Sequence, residues 1–239
     1  MTWILVLALA LVAGTVGGIV GFGSSIMLMP ALVLTVGPKE AVPIMAIAGL
    51  MANLSRVAVW WRTVNWQVVA AFSMTAVPLS ALGARTLVAL DAGKIQLALG
   101  VFFLAMIPLR RWLLAAGLTI GLGGMALAGA VIGFLSGLVT TVGPINTPFF
   151  LAYGLVKGAY ISTEAMASAL MGLAKAGVFR TFGALPVETL MQGLLVGGAL
   201  TIGSWLSKRL MMKIEAEQFQ LLMDALLLIA AIVMLGGAL

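Results

Sequence analysis

Residues 4–36 read ILVLALALVAGTVGGIVGFGSSIMLMPALVLTV. An apolar run long enough to cross a bilayer, Trp3–Gly21, meets a glycine-rich break, and a shorter apolar run, Ile26–Val36, follows it. A membrane span needs roughly 20 apolar residues. About 11 residues of helix reach only ~16 Å at 1.5 Å per residue, half a bilayer. The stretch therefore predicts a membrane helix, an unwound segment, and a half-helix or re-entrant arm. It is apolar from Trp3 onward and lacks the basic start of a secretory signal, so it is read as a span retained in the protein.

The rest of the chain agrees. Of 239 residues, 63% are hydrophobic and 8% charged, against about 25% charged in a soluble domain. The surface that would face water must face lipid. Seven acidic and thirteen basic residues leave a net charge of +6. Most of the basic ones stand in short gaps between apolar runs: Lys39, Arg62, Arg85, Lys94, Arg110, Arg111, Lys157, Lys208, Arg209 and Lys213. That is the pattern of headgroup and positive-inside anchors, not of nucleic-acid binding. The absence of cysteine and histidine excludes disulfides, Cys or His metal sites, Cys or His nucleophile–base pairs and imidazole relays.

After the opening stretch, the apolar runs are Ala41–Trp61, Gln67–Leu90 and Ile95–Leu109. Beyond Arg110-Arg111 come Leu118–Val139, a short Ile145–Val156, then Tyr160–Phe179, Val187–Leu206 and Phe219–Leu239. This predicts an all-α integral membrane protein, a single membrane domain over 1–239, with about eight transmembrane helices and two extra short pieces.

The second series copies the first. Pro30 matches Pro148, Lys39 matches Lys157, Arg62 matches Arg180 and Gly83 matches Gly203. Asp91-Ala92…Gln96-Leu97 matches Glu215-Ala216…Gln220-Leu221. Two homologous halves, 1–115 and 118–239, are expected, each with a broken or re-entrant segment after its first span. Whether the halves are parallel or inverted depends on whether the short pieces cross the bilayer, and counting Lys and Arg leaves the orientation open under either topology.

The second break runs from Gly133 through Ser136, Thr140-Thr141 and Gly143-Pro144 to Asn146-Thr147-Pro148. Unwound backbone at membrane depth persists only where protein buries it or a wet cavity meets it. The short helices should begin near Ser24-Ser25 and near Asn146-Thr147. A helix start carries free N–H groups and a partial positive charge, which suits an anion. The competing reading is close packing through small residues.

Ionisable groups inside spans are functional candidates. Arg56 and Lys175 fall at matching places in the two halves, and Asn53 shares a face with Arg56. Either both cations snorkel to the interface or both face a central cavity. Asp224 and Glu164 are the in-span acids, with interface placement, cation pairing or carriage of a coupling proton open to each. Trp3, Trp60, Trp61, Trp66, Trp112 and Trp205 read as an aromatic belt.

The pattern Gly21-Phe22-Gly23-Ser24-Ser25-x4-Pro30, then Ala41 to Trp66 ending in Trp61-Arg62-x-Val64-x-Trp66, resembles the TauE/SafE sulfite exporter family. Gly143-Pro144-x2-Thr147-Pro148-Phe149 and onward to Arg180 resembles it too. The resemblance covers nearly the whole chain. It implies transport of sulfite, sulfonates, thiosulfate or related anions.

The function expected is secondary transport, as a probable exporter, of a small inorganic or organosulfur anion across the cell inner membrane, without enzymatic activity, cofactor or metal. No Gly-x4-Gly-Lys-Ser/Thr loop is present to support ATP hydrolysis. The substrate site would comprise Gly23, Ser24, Ser25, Asn53 and Arg56 from one half. Thr141, Gly143, Asn146, Thr147 and Lys175 would come from the other. Glu164 and Asp224 would be the coupling candidates. The partners expected are the anion, the lipid bilayer and, optionally, a second copy in a homodimer, with no nucleic acid. The rival readings are a membrane assembly or insertion factor and a passive anion channel.

Overall fold

The structure, a computed structural model, describes residues 2–20, 23–139, 142–210 and 216–236. Every regular element among them is helical: α1 (Thr2–Val20), α2 (Ser24–Val36), α3 (Pro38–Trp60), a 3-10 turn (Trp61–Thr63), α4 (Trp66–Val88), α5 (Ala92–Ala115), α6 (Leu122–Val139), α7 (Gly143–Ala152), α8 (Lys157–Thr181), α9 (Val187–Leu210) and α10 (Ala216–Gly236). Five helical segments are long and apolar enough to cross a membrane: Pro38–Thr63, Trp66–Val88, Ala92–Leu113, Leu122–Val139 and Val187–Leu206. The 25-residue α8 is more polar, because it carries Lys157, Glu164, Lys175 and Arg180. Ile4, Leu34, Met74 and Leu127 are 70–73% exposed, a placement that is costly in water and ordinary in lipid.

The two short helices form where the glycine-rich breaks place them. Gly23 precedes α2 with φ 107°, a left-handed backbone that favours glycine. Its carbonyl accepts from the N–H groups of Ile26 and Met27 at 3.1 and 3.2 Å, which starts the helix. Helix α7 starts at Gly143, earlier than its expected start, so Asn146 and Thr147 sit in its first turn. Proline at its second position has no N–H to lose. Pro30 and Pro148 both lie inside these short helices.

Helix α5 departs from the expected ending at Leu109. It runs on through Pro108 and the Arg110-Arg111 pair to Ala115. Arg110 is therefore buried, 3% exposed, rather than a gap residue facing headgroups.

Glycine contacts set the helix directions. Gly129 faces Phe72, Gly133 faces Ala76 and Gly137 faces Ser80, so α4 and α6 run parallel in close contact. Gly193 faces Ile44 and Ile47 while Gly197 faces Ala48 and Met51, so α3 and α9 run parallel. In contrast, α3 and α8 are antiparallel. Gly158 lies under Trp60, Arg56 pairs with Glu164, and Gly172 touches Leu50.

Helix α1 packs on α9 as α4 packs on α6. A Cβ added to Gly83 would lie 2.2 Å from the Phe134 carbonyl oxygen and 3.0 Å from Gly137 Cα. One added to Gly203 would lie 2.2 Å from the Leu11 oxygen and 3.0 Å from Gly14 Cα. Any side chain there would force these backbones apart.

Candidate functional site

Two stripes of residues face each other at the centre of the bundle. On α3, Ala46, Gly49, Asn53 and Arg56 recur every three or four residues and so share one face. On α8, Glu164, Ser168, Gly172 and Lys175 do the same. Small residues in both stripes leave space between the helices. That space is a cavity of about 70 Å³ lined by both stripes, and also by Gly23, Ser24 and Ser25, by Val142, Gly143 and Pro144, and by Ser136 of α6. The starts of α2 and α7 thus open on the same cavity. One water needs roughly 10–15 Å³ of such space, so the cavity has room for a few waters or an ion of a few heavy atoms.

Because α3 and α8 are antiparallel, the cavity has two unlike ends. At one end, Arg56 donates through Nη2 to Asn53 Oδ1, and its Nη1 lies 3.7 Å from Glu164 Oε2. Glu164 Oε1 accepts from Asn146 Nδ2 at 3.1 Å and Ser168 Oγ at 2.7 Å. Arg56 Nη1, Glu164 Oε2 and Asn146 Oδ1 are buried and have no hydrogen-bond partner among the described residues. Unmet buried polar atoms are uncommon and call for a specific explanation.

At the other end, Lys175 is 4% exposed. Its ammonium donates to Ser136 Oγ at 2.9 Å and to the Ser136 carbonyl at 3.3 Å. Both partners are neutral. A buried ammonium without a nearby carboxylate is costly unless an anion neutralises it. Arg56, Lys175 and Glu164 together leave one positive charge in excess.

The sequence-derived candidates fall into four groups. Gly23, Ser24, Ser25, Asn53, Arg56, Gly143 and Lys175 line the cavity. Asn146 reaches it through Glu164. Thr147 does not line it, but bonds the Gly143 carbonyl at 3.0 Å and Tyr160 Oη at 2.7 Å. Thr141 lies outside the described residues. Snorkelling fails for Lys175, whose ammonium is buried.

Of the two acids, Glu164 is buried in the cavity rather than at an interface. Asp224 sits elsewhere, between α5 and α10, accepting from Arg110 Nη2 and Arg111 Nε, each at 2.8 Å. Cation pairing is thus the observed placement of Asp224. Ser136 and Ser168 were not among the candidates. Ser168 was recoverable from its spacing of four from Glu164, and Ser136 from its place in the second glycine-rich break. Trp60 also differs from a lipid-facing belt residue, since its indole packs over Gly158.

The helices and the cavity define a polytopic helical bundle with a small central cavity whose lining carries two cations and one carboxylate. The chain matches the family model described as Sulfite exporter TauE/SafE over residues 6–234. It therefore belongs to that family, whose members are transporters of sulfur-containing anions rather than enzymes, and it is a multi-pass membrane protein. Searches of curated proteins and of solved structures found no match.

Proposed function

We propose that the chain is a secondary transporter that exports a small sulfur oxyanion, such as sulfite, or a small sulfonate across the inner membrane by alternating access. The observation that carries this reading is Lys175, a buried ammonium with neutral partners, in a cavity lined by the starts of α2 and α7. In this reading, N–H groups of Ser24, Ser25 and Gly143 and the hydroxyls of Ser24 and Ser25 bond the anion's oxygens. Arg56 and Lys175 supply the countercharge.

The halves are proposed to be an inverted duplication in which the short helices α2 and α7 carry the chain back across the bilayer, giving each half an odd number of crossings. Two features support this. The contacts of Gly83 with α6 and of Gly203 with α1 agree closely in partner atoms and distances. The matched helices α3 and α8 also run in opposite directions. Inverted repeats permit the two halves to rock about a midplane site.

The ends of the α3–α8 pair support one-sided access. At one end Trp60 covers Gly158, Thr63 Oγ1 meets Ser162 Oγ at 3.1 Å, and the Asn65 N–H donates to Thr163 Oγ1 at 2.9 Å. At the opposite end a second cavity of about 290 Å³ lies among Lys39, Glu40, Pro43, Phe179 and Phe182. Helix α8 separates the two cavities by one turn, from Lys175 to Phe179.

The test is sulfite efflux from loaded proteoliposomes. Arg56→Gln and Lys175→Gln should each lower the rate by at least about tenfold, equivalent to about 1.4 kcal/mol. Wild-type rates in both variants would retire the cavity as the transport site.

A further inference from the structure

We propose that Glu164 is a charge-matching proton carrier, so that a doubly charged oxyanion enters the cavity together with one proton on this carboxylate. The inference rests on the anion-binding reading of the cavity and adds the coupling ion and the charge class of the substrate.

The argument starts from the charges facing Glu164. Arg56 approaches from α3, and Lys175 lies further along α8 itself. Tyr160, also on α8, turns its hydroxyl to Thr147. Helix α7 presents Asn146 and α6 presents Ser136; the start of α2 presents Ser24 and Ser25, all neutral. With Glu164 ionised the fixed charge is +1, which a monoanion brings to zero. A dianion would leave one net negative charge in a membrane-buried cavity, at a high desolvation cost. Protonating Glu164 raises the fixed charge to +2 and restores balance for a dianion.

The geometry favours this exchange. Glu164 Oε1 is held by Asn146 and Ser168, while Oε2, the oxygen nearest Arg56, accepts no hydrogen bond. The 3.7 Å gap to Arg56 Nη1 is longer than a hydrogen bond. Glu164 is thus a tethered anion beside Arg56, neutralising it without saturating it. A proton on Oε2 releases the guanidinium to the incoming oxyanion and adds an O–H donor on the same side. The balance is simple: one proton taken up by the carboxylate, one dianion bound, no other covalent change.

The experiment is calorimetric titration of the full chain in detergent from pH 5.5 to 7, with sulfate as dianion and methanesulfonate as monoanion. Proton uptake is read from the dependence of the binding heat on the buffer's ionisation enthalpy. Sulfate affinity should rise as the pH falls, by up to about tenfold per unit, with as much as one proton taken up per anion. Methanesulfonate affinity should change by less than about twofold. Glu164→Gln should bind sulfate with no pH slope and no proton uptake linked to this residue.

An equal slope for both anions in the wild type would overturn the proposal without any variant. An unchanged sulfate slope in Glu164→Gln would overturn it as well, and either result would leave the anion site standing. Failure of every anion to bind at any pH would sink the site and the proposal together.

Discussion

The two ends of the central cavity carry cations, one residue out of register in the proposed repeat, in unlike surroundings. Arg56 has Glu164 beside it, whereas the hydrogen bonds of the Lys175 ammonium among the described residues go to Ser136. The pairing that sets Lys39 against Lys157 and Arg62 against Arg180 sets Ala46 against Glu164. Both residues line the cavity. The ends therefore differ chiefly by a carboxylate in one half where the other has a methyl group. On the proposed duplication the chain acquires a direction this way: one end is neutralised by its own carboxylate, and the other holds a positive charge for the proposed anion to balance.

A third ionic cluster shows what such a group looks like when packing satisfies it. Asp224 takes hydrogen bonds from two guanidiniums through both of its oxygens. The cavity end, with Glu164 Oε2 and Arg56 Nη1 left over, does not resemble it. Both oxygens of Asp224 are taken up within the bundle, as suits a clamp between helices, whereas Glu164 Oε2 accepts no hydrogen bond among the described residues.

The largest test of this contrast acts on the closed end. The chain has no cysteine, so Thr63→Cys with Ser162→Cys introduces the only two thiols, at positions whose hydroxyl oxygens lie 3.1 Å apart. Oxidation should stop sulfite efflux and reduction restore it. Efflux at the wild-type rate from the cross-linked protein would mean this end never opens.

A smaller effect comes from making the two ends alike. Ala46→Glu should place a carboxylate within the cavity half that holds Lys175 and lower anion affinity about tenfold, measured by calorimetry at pH 7. Unchanged affinity would show that Lys175 does not set the anion's binding. The smallest effect on transport is expected from Asp224→Asn. It should cost about 3 kcal/mol in stability by leaving buried charge less well compensated, while the folded fraction exports sulfite within about twofold of the wild type. A tenfold loss in folded protein would make Asp224 part of the transport machinery.

Much of the fold was legible before any coordinates. Composition, the spacing of apolar runs and the glycine-rich breaks located the spans and the two short helices, because lipid forces backbone groups to bond within their own helix. The α7 start and the length of α5 were misjudged. Proline at the second position favours a helix start that Asn146-Thr147 obscured, and two arginines looked like a boundary when both had an acidic partner in Asp224. Part of the cavity lining was legible too: Gly23 to Ser25, Asn53, Arg56, Gly143 and Lys175 were all marked by breaks or by charge inside a span.

What remained hidden depended on helix direction and contact. That Glu164 stands beside Arg56, Ser136 beneath Lys175 and Arg110 against Asp224 follows from the antiparallel setting of α3 and α8 and from the packing of α8 on α6 and α5 on α10. Helices in a membrane are apolar on every side, so their sequences do not announce which face turns inward. The chain alone dictated that it would enter a bilayer, where it would break and which charges it would carry there. Only the packing of distant helices decided which charges would meet, because an ion pair depends on a few ångströms of separation and not on position along the chain.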